Sequence, residues 1–199
     1  MGREERRRKS RRPLPQPMLA RPDRLPHDDY TYEVKWDGFR AIVSTERGLE
    51  VRSRRGWEMS ERLPELSGLP EGLVLDGELV AFGDDGRPSF PLLSLRVLHG
   101  RALIPVTLLL FDVLRVEGAD AMCLPYAERR ALLEALDLDG PVWRTPPVFD
   151  DGAALLEATR IHGLEGVVAK KRSEPYRPGE RGWVKVKHRD YWRFGRLTI

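Results

Sequence analysis

Apolar, aromatic and β-branched residues recur along this chain in short runs, which is the spacing of strands more than of long helices. Tyr30 to Lys35 and Phe39 to Thr45 are two such runs, and Glu46-Arg47-Gly48 offers a turn before Leu49 to Ser53. The pattern predicts a hairpin-like, strand-rich opening. Leu73 to Phe82 predicts a further strand closed by the polar turn Gly83-Asp84-Asp85-Gly86, and Val106 to Leu114 predicts a buried one. Helical periodicity comes later, at Tyr126 to Leu136 and at about Gly152 to His162. Two last strands are expected at Gly166 to Lys171 and Gly182 to Lys187, with Pro175, Pro178 and Gly179 between them. Strand and helix do not alternate strictly, so the expected class is α+β with largely antiparallel sheets.

The ends look different from the body. Pro13, Pro15, Pro17, Pro22 and Pro26 break any regular element, so residues 13–26 are expected to form an extended surface connector. This divides the chain into an arm and connector (1–27), a folded domain (28–189) and a tail (190–199). A length of 199 residues with 41% hydrophobic content suits one soluble domain. The longest apolar run, Val106 to Phe111, cannot span a bilayer, and no signal-peptide core is visible, so a cytoplasmic protein is expected; a monomer is a separate expectation. Cys123 is the single cysteine; it excludes an internal disulfide and is expected to serve packing. Residues 3–12 hold seven Lys or Arg against two Glu, although the whole chain carries only +3. Such a block suits an arm that touches phosphates without sequence preference, and equally a solvated tail.

Candidate chemistry begins at Glu33-Val34-Lys35-Trp36-Asp37-Gly38-Phe39-Arg40, where a lysine ends one strand and an arginine begins the next. Asp37-Gly38 is expected to make a tight turn, with glycine at positive φ, that holds Lys35 and Arg40 on converging strands. By itself this is also the pattern of an ordinary charged hairpin. Further segments follow in order: Ser53-Arg54-Arg55-Gly56, Asp76-Gly77-Glu78, Phe111-Asp112-Val113, Glu165 to Lys170, and Trp183-Val184-Lys185-Val186-Lys187. Lys185 and Lys187, two apart in a strand, share a face, while Val184 and Val186 take the core side. From Lys170 to Arg196 ten Lys or Arg stand against three acidic residues, interleaved with Tyr176, Trp183, Tyr191, Trp192 and Phe194, a pattern that suits nucleic acid.

This ordered set resembles the covalent nucleotidyltransferase superfamily of ATP-dependent DNA ligases, RNA ligases and mRNA capping guanylyltransferases, from about residue 28 to 188. Ser53-Arg54-Arg55-Gly56 leading into Trp57-Glu58-Met59 and Leu63-Pro64-Glu65-Leu66, with the final WVKVK, is most similar to compact bacterial DNA ligases, including the ligase modules of end-joining systems. The resemblance implies an ATP-grasp-like nucleotidyltransferase fold and a covalent AMP on Lys35, passed to a 5′-phosphate for nick sealing. It also implies that Lys185 and Lys187 act on the α-phosphate. Glu165 would lie near a Mg²⁺ or Mn²⁺ ion, and Glu78 near both metal and ribose. Phe111 would stack on the purine, and Glu33 would read the adenine edge. Arg40 and Arg54 would contact the nucleotide or a nucleic-acid phosphate. A lysine must lose its proton before it attacks phosphorus, and neighbouring cations or desolvation bring that about.

The implied partners are ATP and nicked duplex DNA, with a separate OB-fold or repair protein as a further partner. RNA ligase activity, or a non-sealing nucleic-acid-binding module, are the alternatives. The resemblance leads one to expect an OB-fold domain after the last motif, and only twelve residues follow Lys187, so that domain is expected to be absent.

Overall fold

A computed structural model describes residues 12–191. The apolar runs form ten strands: β1 (Ala20–Pro22), β2 (Tyr30–Val34), β3 (Phe39–Ser44), β4 (Glu50–Ser53), β5 (Leu73–Val80), β6 (Thr107–Val116), β7 (Ala119–Asp120), β8 (Trp143–Arg144), β9 (Gly166–Lys171) and β10 (Trp183–Lys187). Three helices accompany them: α1 (Phe90–Val97), α2 (Tyr126–Ala135) and α3 (Gly152–Ile161). One sheet has the order β1-β10-β9-β2; the other runs β4-β3-β5-β6-β7, with β8 beside β6. Pairing is antiparallel except for β1 with β10 and β6 with β8. The expected α+β, largely antiparallel class is what the chain adopts.

Alternation along the strands explains the stacking of the two sheets. In β3, Ala41 and Val43 face an outer core with Leu63, Leu93 and Leu133, whereas Ile42 faces an inner core with Met18, Tyr176 and Trp183. The β9 and β10 strands alternate likewise: Val167, Ala169 and Val184 pack under Leu155 of α3, while Trp183 turns to the inner core. Both sheets are therefore covered on two faces.

Several expectations are corrected here. The segment after Lys35 is no hairpin: β2 and β3 belong to different sheets, and β3 pairs with β4 and β5. Gly38 is needed for close approach, since a Cβ there would lie 2.1 Å from the Leu79 carbonyl oxygen. The folded body does not wait for Asp28. Met18 is 1% exposed, and β1 within the Pro-rich segment pairs with Trp183, Val184 and Lys185. Helices are not confined to the later half, because α1 precedes β6, capped by Ser89 with Pro91 in its first turn. Cys123 is exposed, so packing is not its role. No helix among the described residues is long and apolar enough to cross a membrane.

Candidate active site

Lys35 leaves the end of β2 where the chain crosses from the small sheet to the large one, so it sits at the seam between them. Its backbone N–H donates to the Gly166 carbonyl at 2.8 Å, which sets it beside Glu165. Gly166 allows this: its φ is 143°, and a Cβ would lie 2.0 Å from the Val186 carbonyl oxygen. The Lys35 Nζ then lies 2.5 Å from Glu165 Oε2, while Lys187 pairs with Oε1 of the same carboxylate. Burial alone would raise the Glu165 carboxyl, but the charges of Lys35 and Lys187 outweigh it and hold it below the usual range.

Glu78, near the end of β5, stands opposite Arg40 in the β3–β5 register. Burial pushes its carboxyl up to about 7; Arg40 and Lys35 pull against this, and Asp76 and Glu165 add to it. The half-buried Lys185 is shifted down, first by burial and then by Lys187, Lys35 and the exposed Arg54. Lys35, Lys185, Lys187, Arg54, Glu78 and Glu165 are thus electrostatically one site. Lys185 and Lys187 share a face as expected, yet Lys187 stays half exposed and Val186, unlike Val184, is only partly buried.

Arg40 reaches this group through Glu78, but its own hydrogen bonds, like those of Glu33, go elsewhere. Arg40 forks onto Asp76, with Nη2 at 2.5 Å from Oδ2, and also donates to the Met18 carbonyl at 3.1 Å. Tyr176 completes that network by donating to Asp76 at 2.6 Å and accepting from the Met18 N–H at 2.7 Å. In this state Arg40 is engaged by a carboxylate. Its guanidinium also lies 4.6 Å from the centre of the half-buried Phe111 ring. Glu33 points inward on β2, 7% exposed, where Tyr126 donates to its Oε1 at 2.5 Å and Lys170 Nζ lies 2.8 Å away.

Lys170, Tyr126, Asp76 and Tyr176 were not singled out from the sequence as site residues. Lys170 belongs to the Glu165 to Lys170 segment, and its place in the alternation of β9, on the face opposite Val167 and Ala169, was the available signal. The basic-aromatic stretch from Lys170 to Arg196 also changes meaning. Lys170, Tyr176 and Trp183 are buried at 1%, 3% and 4% exposure, and Tyr191 donates to Asp37 at 3.1 Å. Trp192 and Phe194 lie outside the described residues, as do residues 3–11 of the basic arm.

Comparison with known proteins gives a consistent answer. Residues 17–187 match the family model described as ATP dependent DNA ligase domain. The multifunctional non-homologous end joining DNA repair protein LigD of Mycobacterium tuberculosis is 37% identical over 172 residues, covering 82% of this chain and 22% of that protein. The SPbeta prophage-derived DNA ligase-like protein LigB of Bacillus subtilis is 32% identical over 183 residues, 88% of this chain and 68% of that protein. Among solved structures, the ligase domain of M. tuberculosis LigD superposes with a TM-score of 0.73 at 34% identity, over 87% of this chain and 60% of that one. The chain therefore spans about a fifth of the length of LigD.

Proposed function

The chain belongs to the ATP-dependent DNA ligase family, and from that premise we propose that it forms a covalent lysyl-AMP at Lys35 and passes the AMP to a 5′-phosphate for nick sealing. The observation that carries this reading is the convergence of Lys35 and Lys187 on Glu165 at the sheet seam, within electrostatic reach of Glu78 and Lys185.

The chemistry proceeds in three displacements. The deprotonated Nζ of Lys35 attacks the α-phosphorus of ATP, an N–P bond forms, and the bond to the bridging oxygen breaks as pyrophosphate leaves with its electron pair. Lys185 and Lys187 offer ammonium groups to the α-phosphate oxygens. Phe111 offers a half-buried ring to the purine, and Glu33 a carboxylate to its edge. A DNA 5′-phosphate oxygen then displaces Lys35 from the AMP, and the lysine recovers a proton. Finally a 3′-hydroxyl attacks the DNA phosphorus, and AMP departs. Arg54, exposed and within electrostatic reach of Lys185, would meet a phosphate; Arg40 would reach one only by giving up part of its fork on Asp76.

Glu78 and Glu165 are the residues that would hold Mg²⁺ or Mn²⁺. The fit rests on charge: burial and the nearby Asp76 and Glu165 disfavour ionised Glu78, a penalty that a divalent cation reverses. Among the described residues no three acidic, His or Cys side chains form a cage, so ATP phosphates would supply further ligands, as Mg²⁺ commonly arranges. The ion would neutralise charge on the transferring phosphates. The setting is a cytoplasmic one, with nicked duplex DNA as substrate and an OB-fold or repair protein as partner to a monomer.

The test is intact-mass analysis after incubation with ATP and Mg²⁺. One added AMP is expected on the wild-type chain and none on a folded Lys35→Ala variant. An adduct on that variant would refute the assignment, equal labelling by GTP would point to the capping branch, and sealing confined to RNA nicks to an RNA ligase.

A further inference from the structure

Lys170 sets an amino group among aromatic rings, where burial pushes its pKa down and Glu33 pulls it back up. It is 1% exposed, and its Nζ lies 4.4 Å from the centre of the Phe111 ring, 4.3 Å from that of Trp183 and 5.0 Å from that of Tyr126. Burying an ammonium is costly unless it is paired, so its partners indicate what the residue is kept for. There are two. Nζ donates to the backbone carbonyl of Phe111 at 3.0 Å, and it faces Glu33 Oε1 at 2.8 Å. Tyr126 brings its hydroxyl to the same Oε1 at 2.5 Å. Both protein contacts thus meet at one oxygen and leave Oε2 outside them.

Resting on the reading above, in which Phe111 stacks on the purine and Glu33 meets its edge, we infer that Lys170 is a positioning residue for adenine. It ties the shelf under the base to the carboxylate at the edge of the base, with Tyr126 fixing which oxygen turns away. An edge carboxylate accepts from the 6-amino group of adenine, whereas guanine presents a carbonyl oxygen there, which repels it. Lys170 touches no reacting atom, so its removal acts on nucleotide binding and selectivity and leaves the chemical step nearly intact.

The experiment compares the full-length wild type, Lys170→Met and Lys170→Arg in Lys35 adenylation, with ATP, GTP and purine riboside triphosphate, which lacks the 6-amino group. The wild type should favour ATP over purine riboside triphosphate in KM. In Lys170→Met, KM for ATP should rise by about tenfold, one hydrogen bond's worth, kcat should change far less, and the preference for the amino group should shrink. Lys170→Arg keeps the charge but cannot reproduce both contacts in so tight a space, so it should lose part of the preference; it carries the test if the methionine variant does not fold. Wild-type KM and selectivity in a folded Lys170 variant, or a loss confined to kcat, would overturn the inference while leaving Lys35 adenylation standing. Equal use of the two triphosphates by the wild type would overturn it too. No adduct in the wild type would overturn the proposed function and this inference together.

Discussion

The Nζ of Lys35 lies 2.5 Å from Oε2 of Glu165, and the other oxygen of that carboxylate belongs to Lys187. One acidic group therefore holds a cation just past the end of β2 and another at the end of β10 before any nucleotide arrives. Glu165→Gln removes the charge and keeps the shape. It should lower the stability of the metal-free protein by about 1–3 kcal/mol, the scale of a hydrogen bond to a charged group, and slow adenylation by roughly two powers of ten. Chemical denaturation and single-turnover labelling measure the two effects, and an unchanged labelling rate would separate Glu165 from the chemistry.

Glu78 sets a pH dependence whose sign is fixed. Its folded-state carboxyl is raised to about 7 from the ordinary 4.5, first by burial. Between those values the native chain binds more protons than the unfolded one, so this group makes stability fall as pH rises toward 7 and leaves the loss in place above it. In chelator, wild-type melting should drop more between about pH 5 and about pH 8 than that of Glu78→Gln. Mg²⁺ should restore wild-type stability at the higher pH and do less for the variant. Parallel melting curves for the two proteins would contradict this.

Lys185 and Lys187 are proposed to act where charge shifts. Lys185→Ala and Lys187→Ala should each slow adenylation by about one to three powers of ten, with smaller effects on ATP affinity. Rapid-quench labelling alongside equilibrium nucleotide binding distinguishes the two. Wild-type rates in both variants would reduce the pair to a solvent-facing decoration.

Gly38→Ala tests the crossing between the sheets. A methyl group 2.1 Å from the Leu79 carbonyl oxygen forces backbone movement, and overpacking of this kind costs about 1–3 kcal/mol. Because Gly38 lies between Lys35 and Arg40, adenylation should fall by more than the lost stability explains. A melting curve and labelling rate both at wild-type level would show that the loop yields freely.

These residues also mark what the sequence made legible. Strands such as Gly166–Lys171 came directly from β-branched alternation, because that signal is local. The Asp37-Gly38 turn misled because a dipeptide cannot say which sheet each flanking strand will join; Leu79, forty-one residues further on, decides that. The α1 helix was missed although Ser89 and Pro91 carry its start signal, since its leucines look equally like a buried strand. The ordered motifs identified Lys35, Glu78, Glu165, Lys185 and Lys187 as candidates, and the fold gathers them. They could not identify Lys170, whose meaning depends on Phe111 and Glu33 arriving from two other strands.

The pairing of β1 with β10 bears on how this protein can be trimmed. β1 is the outermost strand of the small sheet, and Met18, just before it, is gripped by Arg40 and Tyr176. A shortened chain starting at Asp28 would bare the main-chain edge of β10 beside Lys185 and open an apolar slot where Met18 had been. Such an edge recruits another copy's strand, so the trimmed protein would tend to associate through the flank of its own nucleotide site, and oligomerisation and lost labelling would arrive together.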